Sequence, residues 1–210
     1  MPPSRPPGFT LIELIASLAI VTALAVLLLP AASNIRKSAQ SATTLNNLRQ
    51  LAGAAAAHAR ENDNRYFGNS LDSPKYWLRE FWPYAYPDRA YPAPNFSAAD
   101  SGEVFRGTIF HTPLLEKKPI YGGQPRSFGY NYPLEEKSGK NLRYSLLIRN
   151  ASKVALFGDT RTSGSWTPAQ VNARHKNSVH VAFLDQHVEL VPLSSIPTSK
   201  DAVFWSGASE

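Results

Sequence analysis

The sequence predicts an α+β protein in which one long N-terminal helix packs on a small antiparallel β-sheet head. Three observations predict it. Phe9–Leu29 is a run of 21 residues with a single charge, Glu13. Residues 31–62 continue with apolar positions at helical spacing. Val179–Leu184 and His187–Val191 then alternate as two strands of a hairpin.

The apolar run comes first. Residues 1–8 hold four prolines and read as an extended leader. At ~1.5 Å per residue, the 21 residues after it make about 30 Å of helix, enough to cross a hydrocarbon core. The expected divisions are therefore a leader over 1–8, a spanning helix over 9–29, an amphipathic helix over 30–62 and a globular α+β head over 63–210. A carboxylate inside a spanning helix costs about 2.5–3.5 kcal/mol on insertion scales. A cation beside Glu13 would offset that cost. Cleavage after Gly8 would create one at the amine of Phe9, four residues away. An ordinary signal peptide cut near Ala31-Ala32-Ser33 is the competing reading. The apolar run is longer than such peptides carry, and it holds a Glu.

The second half of the helix shows a stripe of Ile35, Ala39, Ala42, Leu45, Leu48, Leu51, Ala52, Ala55 and Ala59. Asn34, Arg36, Lys37, Gln40, Asn47, Arg49 and Gln50 lie between them. Pro30 removes one backbone hydrogen bond and should bend or loosen the helix. Asn62-Asp63-Asn64 should end it. Ser73-Pro74 reads as the start of a short helix carrying Tyr76, Trp77, Leu78, Phe81 and Trp82, ended near Pro83. Residues 83–127 are rich in Pro, Gly, Ser and Tyr, with a short strand expected at Val104–Phe110. Arg143–Arg149 and Lys153–Phe157 have strand length, and Asp159 closes the second.

In the hairpin, a two-residue turn at Asp185-Gln186 would pair Phe183 with Val188 and Val181 with Leu190. That register puts Val179, Val181, Phe183, Val188 and Leu190 on one buried face. His180, Ala182, His187 and Glu189 would fall on the other.

Composition narrows the function classes. Net charge is +6, but Lys and Arg are scattered, with only Arg36-Lys37 and Lys117-Lys118 as pairs. Nucleic-acid binding needs a clustered patch, so it is not expected. The chain has no cysteine, which excludes disulfides, thiolate metal sites and cysteine nucleophiles. No G-x-S-x-G, P-loop, dinucleotide, H-E-x-x-H or EF-hand pattern is present. A Ser/His/Asp triad need not be adjacent in sequence, and no sequence feature supports one. An enzyme is not expected.

Gly8-Phe9-Thr10-Leu11-Ile12-Glu13-Leu14 resembles the processing motif of type IV pilins and type II secretion pseudopilins. Pro30 falls where that family often carries a kinking proline. Arg174-His175, nine residues, then Asp185 is similar to the H-x9-DG motif of planctomycete and verrucomicrobial prepilin-type proteins. Asn46-Asn47-Leu48-Arg49-Gln50-Leu51 and Ser127-Phe128-Gly129-Tyr130-Asn131 resemble two further segments of those proteins. Gln186 departs from the motif's Gly. Thr44 and Thr112 stand near positions where relatives often carry Cys.

The resemblance implies a pilin-like fold and a structural subunit of a type IV pilus or type II secretion-like filament. A prepilin peptidase would cut Gly8–Phe9 and methylate Phe9. Glu13 would pair with the amine of a neighbouring subunit. Partners would be that peptidase, other subunits and an inner-membrane assembly platform. The chain would cross the inner membrane once, with a periplasmic head. Alternatives are a scarce tip subunit that binds polysaccharide or a secreted substrate through Tyr84, Tyr86, Tyr91 and Phe96, or a signal-anchored periplasmic protein. No cofactor is expected. Some pseudopilins bind calcium, for which Asp159 and Asp185 would be the candidate ligands. A backbone-bonding role for His175 and Asp185 is preferred over a metal site.

Overall fold

A computed structural model describes residues 8–62, 66, 77–92, 102–116, 125–134, 150–161 and 164–207, less the side chains of Leu27, Pro30 and Ala31. Helix α1 is Leu11–Glu61 and runs through position 30. The chain divides into two compact units, Met1–Ala39 and Gln40–Glu210.

In the first unit α1 is exposed on every side. Thirteen large apolar side chains from Phe9 to Ile35 are more than half exposed. Among the described residues no helix is long and apolar enough to cross a membrane. The run expected to span includes Leu27, whose side chain lies outside the described set.

In the second unit α1 has a buried face. It opens at Ser41 and Thr44 and continues through Leu48, Leu51, Ala52, Ala55 and Ala59. This corrects the predicted stripe at its start, because Ile35, Ala39 and Ala42 are exposed. Two small hydroxyl residues begin the contact instead. Gln40, Thr44 and Asn47 line one side of the helix and fasten it to the segment 111–113. Gln40 donates to the Pro113 carbonyl at 3.4 Å and Asn47 to the His111 carbonyl at 2.8 Å. Thr44 and Thr112, both fully buried, share a hydroxyl–hydroxyl bond of 2.8 Å. A hydrogen bond therefore joins these two positions of a chain that has no cysteine.

The sheet has five strands: β1 Phe128–Asn131, β2 Ala155–Asp159, β3 Ser165–Trp166, β4 Ser178–Phe183 and β5 Val188–Pro192. Their order is β3-β1-β2-β4-β5. All neighbours are antiparallel except β1 and β3, which are parallel at the edge. On one face α1 and helix α2 (Trp77–Ala85) close a core around Trp77, Phe81, Phe157 and Ala182. On the other, Trp166, Trp205 (from the short helix α3, Val203–Ser206), Val179, Val181, Phe183 and Val191 form a second core.

β4 is thus buried on both faces, where one buried face was predicted. The predicted register is also off by one residue. Ala182 pairs with Val188, Val181 with Glu189 and His180 with Leu190. Val188 and Leu190 therefore share a face with His180 and Ala182. The cause is the turn. Gln186 sits at φ 75, and its amide bonds the Phe183 carbonyl. The amide of Phe183 in turn bonds the His187 carbonyl. A three-residue loop ending in a left-handed residue replaces the tight two-residue turn. At the other end of β4, Lys176 and Asn177 both have positive φ, and His175 and Ser178 exchange backbone bonds.

Other expectations change or fall outside the described residues. Val104–Phe110 is not a strand. Gly102–Phe105 is a 3-10 turn, Gly107 has φ 77, and the Thr108 hydroxyl bonds the Phe105 carbonyl. Pro83 lies inside α2, which continues to Ala85. Ser73-Pro74, Tyr76, Phe96, Arg143–Arg149 and the leader before Gly8 are outside the described residues.

A left-handed residue other than Gly costs about 1 kcal/mol. Gln186→Gly should therefore raise stability by roughly 0.5 kcal/mol, since the freer unfolded glycine takes back part of the gain. A higher urea midpoint at unchanged m would show it; an unchanged or lower midpoint would contradict this account of the turn.

Candidate functional site

Two places gather functional side chains. The first is the start of α1. Thr10 is its N-cap, and the Thr10 carbonyl accepts the amide of Leu14 at 3.2 Å. The Glu13 carboxylate accepts the Thr10 amide at 2.9 Å and the Thr10 hydroxyl at 2.7 Å. The Glu13 amide reaches the Thr10 hydroxyl oxygen at 3.4 Å. This is a capping box, in which N-cap and third helical residue satisfy each other's orphan amides. Thr-x-x-Glu ahead of an apolar run is a sequence-level signature of it, and the prediction passed over it in favour of an intersubunit cation. Glu13 has hydrogen-bond partners within its own chain. Cutting the bond between Gly8 and Phe9 would leave the Thr10 amide, and hence the box, untouched. The new amine would lie one residue before the cap.

The second place is a buried polar clamp within the second unit. The Arg174 side chain is 1% exposed and its nitrogens reach five groups. Nε and Nη2 hold Glu116 at 3.0–3.2 Å. Nη1 donates to the Ser127 carbonyl at 2.7 Å and to Asp159 at 3.1 Å. Nη2 also donates to the carbonyls of Arg126 at 2.6 Å and Thr160 at 2.7 Å. Only a planar fork of donors can serve so many acceptors from one position. The other oxygen of Asp159 accepts the backbone amide of His180 at 2.9 Å and its ring Nδ1 at 2.5 Å. His180 Nε2 then meets the Ser41 hydroxyl on α1 at 2.7 Å.

Glycines make room for this clamp. Gly129 and Gly158 face each other across β1 and β2. A Cβ on Gly158 would run into the Trp166 indole, and one on Gly129 would lie 2.9 Å from the Trp166 Cβ. With neither present, the indole lies over the strands and its Nε1 donates to the Asp159 carbonyl at 3.0 Å. Asn131, fully buried, donates to the carbonyls of Ala155 and Trp205 and so ties β1 to β2 and to α3.

Ser41, His180 and Asp159 have the connectivity of a hydrolytic triad. His180 and Asp159 are fully buried and Ser41 is 5% exposed. A nucleophile must meet its substrate, and this hydroxyl is enclosed. What the arrangement can do is hold α1, the loop at Glu116, β1, β2 and β4 together.

The predicted site residues are distributed as follows. Gly8, Phe9 and Glu13 stand together at the exposed start of α1. Pro30 lies within α1, its side chain outside the described set. His175 and Asp185 flank β4 at opposite ends and do not meet. His175 pairs by backbone with Ser178. Asp185 bonds the His187 amide at 3.1 Å and its ring, and that ring stacks on Phe183 at 4.2 Å. Asp159 and Asp185 are likewise apart, because Asp159 lies beside His180 and Asp185 beyond Phe183, whose partner is Ala155. Both Asp159 oxygens are engaged, and among the described residues no cluster of three or more His, Asp or Glu could hold a metal ion. The sequence reading missed Arg174, Glu116, His180 and Ser41 as one unit. Arg174 stood in the quoted motif beside His175, and its neighbour received the attention.

Breaking a buried ion pair from one side costs about 3–5 kcal/mol. Arg174→Met should destabilise the protein by that amount, and Arg174→Lys, which keeps the charge but loses the fork, by at least half of it. Urea denaturation of the full chain checks this; a loss under about 1 kcal/mol for Arg174→Met would remove the clamp from the account.

Comparison with known proteins bears on the first place. A model of the prokaryotic N-terminal methylation motif matches residues 4–29. No curated protein and no solved structure matches the chain. The motif brackets Gly8, Phe9 and Glu13 and supports a type IV pilin-like protein, with the processing by a prepilin peptidase and the assembly with other pilin subunits that such a motif implies.

Proposed function

We propose that this chain is a membrane-anchored structural subunit of a pilus or of a type II secretion-like filament. One observation carries the reading: at the methylation motif, Phe9 and the helix that follows it present thirteen described large apolar side chains, as far as Ile35, that are exposed in the single chain. A helix that is apolar all round belongs in lipid or among other helices. Burying one such side chain contributes about 1.5–3 kcal/mol. Thirteen of them supply far more than a single subunit's ordinary stability, so the segment is occupied in its working state. The bilayer holds it before assembly, and neighbouring copies hold it afterwards.

In this reading a prepilin peptidase cuts Gly8–Phe9 and the Phe9 amine is methylated. The head stays outside the inner membrane, as the compact second unit permits. The role is structural rather than catalytic. Of the residues named for tip binding, Phe96 lies outside the described residues, and the other three have partners within the chain. Tyr86 and Tyr91 pack against Trp82, and the Tyr84 hydroxyl bonds Glu61 at 2.8 Å.

Mass spectrometry of protein made alongside a prepilin peptidase should find a chain that begins at Phe9 with one added methyl group. An intact leader, or a start beyond Ala32, would refute the reading. Glu13 permits a sharper separation. Glu13→Gln keeps a capping side chain but removes the charge, whereas Glu13→Ala removes both. If charge pairing with a neighbour's amine drives assembly, both variants are cleaved and both fail to enter filaments. Normal assembly of Glu13→Gln would leave Glu13 with the capping role alone.

A further inference from the structure

Two cations stand directly after the apolar stretch that ends at Ile35. Arg36 and Lys37 are adjacent on α1, exposed, and within the first compact unit. They are the first basic residues after Gly8, and the next, Arg49, belongs to the second unit. The helix supplies them with no counter-charge, because α1 carries no carboxylate between Glu13 and Glu61. Among the described residues neither Arg36 nor Lys37 takes part in an ion pair.

Length decides what lies at their level. A bilayer has about 30 Å of hydrocarbon and measures ~40–45 Å with its headgroups. Phe9–Leu29, at ~1.5 Å per residue, matches the hydrocarbon. Arg36 stands 27 residues beyond Phe9. At the same rise that is about 40 Å, the thickness of the whole bilayer. With Phe9 in one headgroup layer, Arg36 and Lys37 reach the other. Their apolar stems can lie back along the helix while the charged ends stay in the polar layer.

The chemistry of the pair selects the partner. Arg presents a planar fork that takes two oxygens of one phosphate, and Lys adds a point charge beside it. A lipid phosphate with a net negative charge fits both. A second copy fits less well. Within the apolar unit Glu13 is the only acid from Gly8 to Ala39, and its carboxylate is already engaged by Thr10.

We infer that Arg36 and Lys37 form a binding site for the phosphate of an anionic lipid, at the membrane surface where the apolar run ends. The inference rests on the membrane-anchored reading of α1. The bound lipid fixes how deep the anchor sits, and the subunit gives it up on leaving the bilayer for a filament.

Lipid selectivity tests this. The full-length chain is reconstituted in phosphatidylcholine vesicles that hold a trace of either spin-labelled phosphatidylglycerol or spin-labelled phosphatidylcholine. Lipid immobilised against the helix gives its own component in the electron-spin spectrum. At low salt the phosphatidylglycerol should be held about fivefold more than the phosphatidylcholine, the effect of roughly one cation at an anionic surface. Arg36→Gln/Lys37→Gln should lose most of that preference, and high salt should remove it from the wild type. Arg36→Lys/Lys37→Arg, which exchanges the two cations, should keep it, and so should Arg49→Gln. Arg5 of the leader is common to every variant, so the difference reads the pair. Equal preference in the wild type and the double Gln variant would overturn the inference and leave the anchor standing. So would equal immobilisation of both lipids by the wild type, or an equal loss in Arg49→Gln. If the wild-type chain immobilises neither lipid, it does not enter the bilayer. The membrane reading then falls first, and the inference falls with it.

Discussion

The head is organised around one buried carboxylate. Asp159 ends β2 with no exposure, and a charge there is tolerated only if it is fully paired. One oxygen faces the Arg174 fork, while the other takes both the amide and the ring of His180. The remaining Arg174 donors close on Glu116 and three carbonyls at the ends of β1 and β2. An apolar replacement of similar volume could match such a cluster in stability. It could not match its directionality. Each bond has a required angle, so segments far apart in sequence, from Ser41 to His180, must arrive in one arrangement.

That constraint accounts for the residues of two short segments. In Ser127-Phe128-Gly129-Tyr130-Asn131, the Ser127 carbonyl accepts from Arg174 and its hydroxyl accepts the Thr112 amide. Phe128 and Tyr130 fill the helix-side core. Gly129 leaves space for Trp166, and Asn131 ties β1 to β2 and to α3. The nine residues between His175 and Asp185 are β4 plus the turns at its two ends. The spacing marks a strand with fixed ends, and the anchor is the arginine just before it.

Much of this was legible in the sequence, and the gaps have physical causes. Long periodic signals read well as secondary structure: the helix through the apolar run and on through Leu48, Leu51 and Ala55, and the strand with Val179, Val181 and Phe183. Register failed because it depends on one dihedral. Gln186 keeps the left-handed conformation that its side chain disfavours, and a loop of three residues shifts every pair by one. The start of the helix contact failed because hydrophobicity was the guide. At Ser41 and Thr44 the contact is made by hydroxyls, which a search for apolar periodicity assigns to solvent. The Arg174 clamp failed for a third reason. Its acceptors are mostly backbone carbonyls, and these carry no side-chain signature.

The two halves of α1 solve opposite problems with one secondary structure. From Ser41 onward the helix has a single buried face, and polar side chains at its edge choose what it packs against. Before that, apolar groups surround it, and dispersion or lipid contact alone does not distinguish one rotation or step from another. Specificity in such a segment must come from its few polar groups. Glu13 is the only charge in the apolar run, and within one chain it is already satisfied by Thr10. A group that is satisfied locally can leave the helix start ordered while it waits for a partner. Its negative charge remains uncompensated, because the capping box supplies hydrogen bonds and no cation. The box therefore solves the problem of the orphan amides and leaves the electrostatic one open. In the filament proposed above, an amine of a second copy at the level of Glu13 would supply that charge, and such a pairing, rather than the apolar surface, would set the position of the neighbouring helix.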